Sequence, residues 1–215
     1  MFGRMDYCIC VNHLFLSMQQ TIAVFDFDGT LTNIDTLMAF LKHTHKPVGR
    51  IFRFLLASPF LLLYKAGFIT NGQAKQKLFS LFYRNRTIEE FNACCESFNS
   101  VIDKHIRPEV FQKLRNHLHE KHKTLIVSAS IENWILPWAQ KEGISEVIAT
   151  RIEVSPQGKL TGRFLTPNCY GQEKVRRILQ LFPERSGYTL IAYGDSKGDK
   201  EMLAMADEKN YINHI

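Results

Sequence analysis

The chain has 215 residues, of which 45% are hydrophobic and 22% charged. That leaves room for one domain with a sizeable core, or a core plus an insertion, and excludes a disordered or fibrous chain. The net charge of +6 is uneven: residues 37–115 hold 13 Lys/Arg against five Asp/Glu, so this block either faces something anionic or is a solvated basic face.

Residues 1–17 are apolar in patches (Tyr7 to Val11, Leu14 to Leu16) but interrupted by Asn12 and His13. They are too short and polar for a membrane span and lack a small-residue cleavage site, so they read as a loosely held extension, or Met18 is the true start. The cysteines are Cys8, Cys10, Cys94, Cys95 and Cys169, without a C-x-x-C pair. An odd count and no secretory signal fit a reducing cytoplasm and argue against a zinc site.

The stretch Thr21–Thr32 organises the rest. Ile22 to Phe25 is an apolar run bounded by turn formers, which predicts a buried strand. Asp26, Asp28, Gly29 and Thr30 follow. Two neighbouring carboxylates repel and resist burial, and a hard cation such as Mg²⁺ relieves both problems. Gly29 lets the backbone approach a ligand closely. A calcium loop is excluded, because the positions after Asp26 lack the required oxygen ligands and the late Glu.

Thr36 to Lys42 predicts a helix, and Pro47 a break. Val48 to Tyr64 is strongly apolar, punctuated by Arg50 and Arg53, with Pro59 expected to kink it. It reads as a buried helix, with an interfacial segment touching lipid as the alternative. Asn71-Gly72 signals a turn. Gln73 to Tyr83, Thr87 to Asp103 and Pro108 to Lys121 follow as helices, with Thr87 and Glu90 placed as a capping box and Phe79, Phe82, Phe91 and Phe98 as core aromatics. From Lys123 the pattern alternates: strand to Ser128, helix Glu132 to Glu142, strand Glu146 to Thr150, a hairpin of Ile152–Val154 with Lys159–Phe164, helix Gln172 to Phe182, strand Tyr188 to Tyr193, helix Lys200 to Ala206, and a short edge strand at Tyr211-Ile212. This is an α/β, Rossmann-like doubly wound parallel sheet with an all-helical insertion after the first strand. The expected division is an extension (1–17), an α/β core (18–36 and 105–215) and a helical cap (37–104).

In a parallel sheet the strand ends share one edge. Asp26, Asp28, Ser128, Asp195 and Asp199 should therefore cluster there, with Lys174 reaching in. Singly, each has a bland reading: Ser128 a helix cap, Lys174 a solvated helix residue, Asp195 and Asp199 turn and cap residues. Together they supply what phosphoryl transfer needs, namely a nucleophile, fixed positive charge, hydroxyl and backbone donors, and carboxylates for Mg²⁺.

In this set the chain resembles the haloacid dehalogenase superfamily, and within it the phosphoserine phosphatase-like branch with a helical cap between the first two motifs. Asp26-Phe-Asp28-Gly-Thr30 resembles the first motif, Ser128 the second, Lys174 the third, and Gly194-Asp195-Ser-x-x-Asp199 the fourth. The resemblance implies a Mg²⁺-dependent phosphomonoester hydrolase. Asp26 would form an aspartyl-phosphate, and Asp28 would act as acid and then base. Ser128, Ala129 and Lys174 would bind the phosphoryl group. Mg²⁺ would be held by Asp26, the backbone carbonyl of Asp28 and Asp195, with Asp199 supporting the metal or Lys174. Asp35 stands where that branch has a Glu that reads the substrate's amino group, and Arg50, Arg53 and Arg84 are candidates for its cap arginine. The expected partner is a small phosphorylated substrate, or a lipid-linked phosphate such as phosphatidylglycerophosphate with peripheral membrane contact through the cap; nucleic acid is not expected. A receiver-like signalling domain is disfavoured because the aspartate pair lies on the first strand, and a membrane-binding protein with a degenerate site because every motif residue is intact.

Overall fold

The computed structural model describes residues 20–213; the expected N-terminal extension, with Met18, lies outside them. Five strands form one sheet in the order β3-β2-β1-β6-β7, with every neighbouring pair parallel. They are β1 (Gln20–Phe25), β2 (Lys123–Ile131), β3 (Glu146–Thr150), β6 (Tyr188–Gly194) and β7 (Glu208–Tyr211). β1 is central because Ile22 to Phe25 are apolar throughout and buried on both faces. The last strand lies slightly earlier than Tyr211-Ile212, and β2 runs on past Ser128 to Ile131.

Between β1 and β2 come α1 (Thr36–Thr44), α2 (Pro47–Lys65), α3 (Asn71–Tyr83), α4 (Ile88–Lys104) and α5 (Pro108–His119). α6 (Glu132–Lys141) follows β2, α7 (Gln172–Leu181) precedes β6, and α8 (Lys200–Met205) precedes β7. The hairpin of β4 (Ile152–Val154) and β5 (Leu160–Phe164) packs on the inserted helices: Asn85 donates its N–H to the Leu160 carbonyl and Leu160 to that of Arg86, both at 2.9 Å. Gly162 permits this approach, since a Cβ there would lie 2.5 Å from Ser80 Oγ.

An aromatic cluster ties the insertion to the sheet layer. Phe40 stacks on Trp134 of α6 at 4.8 Å and meets Phe91 and Phe98 edge-on at 5.5 and 5.1 Å. Each buried ring contributes roughly 1.5–3 kcal/mol, so α1 and α4 are anchored by packing rather than tethered by loops. The expected core aromatics Phe79, Phe82, Phe91 and Phe98 are all buried.

Some local expectations change. Asn71-Gly72 is not a turn but the first turn of α3, because Thr70 and Gln73 form a reciprocal capping box. At Thr87 only half of the expected capping box forms: the Thr87 side chain accepts from Glu90 N–H at 3.2 Å. Pro59 does not break α2: the carbonyl of Leu55, which loses its usual N–H partner to proline, accepts instead from Ser58 Oγ at 2.7 Å. The largest correction concerns burial. α2 is not a buried helix; Ala57 is its one buried residue, and Val48, Phe52, Leu55 and Leu62 are each more than 60% exposed.

Candidate active site

The carboxyl edge of the sheet brings four distant segments together. Asp26 directly follows β1 and stays in the sheet by donating its N–H to the Tyr193 carbonyl at 2.9 Å. Lys174 enters from the first turn of α7 and is 1% exposed. Its ammonium donates to Asp26 Oδ1 at 2.5 Å, to Asp199 Oδ1 at 2.6 Å and to the Val127 carbonyl at 2.6 Å, which uses all three protons. The other Asp199 oxygen accepts from Ser196 Oγ at 2.8 Å and from the N–H groups of Ser196 and Asp195 at 3.0 and 3.3 Å. Asp199 thus fixes both Lys174 and the loop that carries Asp195. Asp195 Oδ1 accepts from Thr30 Oγ1 at 3.0 Å. Gly29, at φ +82°, lies so close that a Cβ would sit 2.4 Å from Asp195 Oδ2.

Asp28 points elsewhere. Its two oxygens accept from Thr36 Oγ1 and Ser130 Oγ, each at 2.6 Å, and Thr36 Oγ1 is itself fixed by Trp134 Nε1 at 3.1 Å. Ser128 is not a helix cap. It lies within β2, at a register shift between Ser128 and Ile131, and its hydroxyl accepts from Ser130 N–H at 3.0 Å, while α6 starts only at Glu132. Within the irregularity Ser130 Oγ reaches Asp28. The Ala129 carbonyl accepts from Thr150 Oγ1 at 2.9 Å and from Lys75 Nζ at 3.1 Å. Asp35 caps α1 by accepting from Met38 N–H at 2.9 Å.

Burial dominates the electrostatics. It raises the Asp26 carboxyl to about 8, with Asp199 and Asp28 adding to the shift and Lys174 opposing it. Burial also raises Asp28; the charge of Asp35 adds to this, and the Ser130 and Thr36 hydrogen bonds oppose it. For Lys174, burial disfavours the charged form, but Asp26 and Asp199 outweigh it and the ammonium is held more firmly than in water. Oxygens of Asp26, Asp195 and Asp199 lie within 4.8 Å of one another, all buried. Three buried carboxyl groups, two of them on the Lys174 ammonium, form a pocket of oxygen donors in which charge is penalised, which fits a hard divalent cation.

Sequence reasoning brought Asp26, Asp28, Ser128, Lys174, Asp195 and Asp199 to one edge, and the structure places them there. It missed the roles of Thr36, Ser130 and Lys75. Thr36 and Ser130 sit beside quoted motif residues, so their hydroxyls were visible as a signal. Lys75 was not marked by any pattern. Of the arginine candidates, Arg50 reaches the His45 carbonyl at 3.4 Å and Arg53 the Leu81 carbonyl at 3.2 Å.

Comparison with known proteins places this geometry. A family model for haloacid dehalogenase-like hydrolases matches residues 23–204. Protein CicA of Caulobacter vibrioides is 34% identical over 192 residues, covering 88% of this chain and 85% of CicA. A histidinol-phosphatase of Neisseria meningitidis is 28% identical over 204 residues, covering 90% of each. A solved phosphoserine phosphatase, described as a phospho-aspartyl intermediate analogue, shares the fold with a TM-score of 0.59 at 19% identity, covering 87% of this chain and 84% of that one. With the model spanning the β1 to α8 core and CicA aligned over most of both lengths, the chain belongs to the haloacid dehalogenase-like hydrolase family of enzymes.

Proposed function

We propose that the chain is a phosphatase that cleaves phosphate monoesters through an aspartyl-phosphate on Asp26, with Mg²⁺ as cofactor. The observation that carries this reading is the buried Asp26–Lys174–Asp199 group, whose carboxylates share a pocket with Asp195. A carboxylate oxygen of Asp26 attacks phosphorus, the bond from phosphorus to the ester oxygen breaks, and Asp28 gives its proton to the departing oxygen. A carboxyl raised by burial suits that role. Asp28 then takes a proton from water, whose oxygen attacks phosphorus; the bond to Asp26 breaks and phosphate leaves. Ser128 Oγ and the Ala129 N–H orient the phosphoryl oxygens, and the Lys174 ammonium, held against Asp26, neutralises them by its charge. Asp26, Asp195 and the Asp28 carbonyl would hold Mg²⁺, with Asp199 keeping Lys174 in place; the bound ion supplies positive charge to the phosphoryl oxygens.

For the ester, a small primary phosphate with an ammonium on the neighbouring carbon fits best. Phosphoserine and histidinol phosphate share that unit, and two of the similar proteins are named for them. Asp35 is close enough to act on Asp28, so its charge reaches the place where such an ammonium lies. Lys75, rather than an arginine, is the basic group that the cap brings to this edge. A lipid-linked phosphate is the second reading, favoured by the outward apolar side of α2. Free thiols at Cys94, Cys95 and Cys169 suit a reducing cytoplasm. The test is phosphate release from phosphoserine, histidinol phosphate and micellar phosphatidylglycerophosphate, with Mg²⁺ and with a chelator. Asp26→Asn should abolish turnover on each ester the wild type cleaves; full turnover in this variant refutes the nucleophile.

A further inference from the structure

α2 carries apolar residues at Val48, Ile51, Phe52, Leu55, Leu56 and Leu62, a spacing that puts them on one helical face. That face points away from the molecule: Val48 is 81% exposed, Leu55 65% and Leu62 66%. Beyond the helix, Phe68 is 79% exposed. The opposite face carries Ala57, which is buried. A run of large side chains in water on a monomeric surface marks something that covers it.

The charge pattern says what. No Asp or Glu occurs between Asp35 and Glu89, whereas nine Lys/Arg do. Lys46 and Lys65 bracket the helix and are exposed, as is Lys42. A second copy of the chain would meet this face with the same uncompensated positive charge. A bilayer rich in anionic lipid offers both the apolar depth and the negative headgroups. The helix also has the length and composition to cross a membrane. Its inner face argues against crossing: Arg53 donates to the Leu81 carbonyl of α3 at 3.2 Å and lies 5.6 Å over the Phe82 ring, and Lys77 of α3 lies 5.4 Å over the Phe60 ring of α2, so the helix is held against α3 at two points.

We propose that α2 lies in the plane of an anionic membrane surface, its outer face among the acyl chains and its flanking lysines among the lipid phosphates. This rests on the surface alone and holds whichever ester the site cleaves; failure of the phosphatase reading would appear in phosphate release, not in vesicle binding. The experiment is co-sedimentation of the full chain with vesicles of phosphatidylcholine alone and with one quarter phosphatidylglycerol, at low and high salt. The wild type should pellet with the anionic vesicles and be released by salt. Leu55→Glu combined with Leu62→Glu should weaken binding on the order of ten-fold or more, and Lys46→Gln or Lys65→Gln about five-fold each. Both sets should keep the wild-type circular dichroism and thermal midpoint, because the altered side chains are exposed. Four results overturn the proposal: wild type left in the supernatant with anionic vesicles; equal pelleting of the Leu55/Leu62 variant; resistance to alkaline carbonate, which means a span; or a dimer in light scattering that the same double variant dissolves, without vesicle binding.

Discussion

Replacing Lys174 with Met should be the most damaging single change at the sheet edge, and the damage should depend on pH. Lys174 Nζ holds Asp26, Asp199 and the Val127 carbonyl at 2.5–2.6 Å and is 1% exposed. Breaking a buried ion pair by removing one partner costs roughly 3–5 kcal/mol, and the abandoned carbonyl adds about 1–3 kcal/mol. That approaches the whole stability of an ordinary domain, about 5–15 kcal/mol. The Asp26 carboxyl can evade part of the loss by holding a proton. Asp26 already sits at about 8 in the metal-free protein, so its native state holds a proton that the unfolded chain releases above about pH 4. Metal-free stability therefore falls as pH rises through that window, by up to about 1.4 kcal/mol per pH unit for this group. Without Lys174 the window for Asp26 extends upward, because the group that opposed the shift is gone, so Lys174→Met should lose more at about pH 8.5 than at about pH 6. Urea unfolding followed by far-UV circular dichroism, in chelator and in Mg²⁺, measures this, and Mg²⁺ should restore part of the loss. A loss below about 1 kcal/mol at the higher pH, or an equal loss at both, would refute the account of a charge-deficient pocket.

Three further outcomes follow from the same geometry. Asp28→Asn should leave attack on an activated aryl phosphate but slow release of the phosphate from Asp26, giving a burst of aryl alcohol and a steady rate lower by about 10²–10⁴; linear progress curves at the wild-type rate would assign the proton transfers elsewhere. Gly29→Ala places a Cβ 2.4 Å from Asp195 Oδ2 at φ +82°, so the Mg²⁺ concentration for half-maximal phosphate release should rise about ten-fold or more, the equivalent of about 1–2 kcal/mol. Lys75→Ala should raise KM for phosphoserine about ten-fold with a smaller change in kcat, the equivalent of one charge-assisted hydrogen bond, and it should leave an uncharged aryl phosphate nearly unaffected.

Most of the sheet and its edge was legible because two strong signals coincide there. Unbroken apolar runs such as Ile22–Phe25 and Leu125–Val127 are buried on both faces and admit few alternatives. Each run ends in a polar residue that a parallel sheet must deliver to the same rim. Finer placement needed packing. The bland alternative for Ser128, a helix cap, fails because a register shift keeps it in β2 and α6 starts only at Glu132. Pro59 sits inside a continuous α2, where the Ser58 hydroxyl, which no sequence pattern marks, donates to the Leu55 carbonyl in place of the lost N–H.

α2 and Lys75 show why the insertion was harder to read than the core. An apolar stripe of period 3.6 states that a face must be covered, but not by what, and the default covering is the protein's own interior. Here α1, α3 and α4 satisfy one another through Phe40, Phe79, Phe91 and Phe98, and that packing needs only the inner side of α2. The surplus apolar side is left facing out. Likewise, nine basic residues without an acid among them offer no internal contrast by which to choose one. Lys75 becomes distinct only when α3 is laid across the sheet edge and its ammonium reaches the Ala129 carbonyl, near Asp28 and Asp35. The same acid-free composition thus sends one cation down toward the aspartates and leaves others beside the outward apolar face of α2.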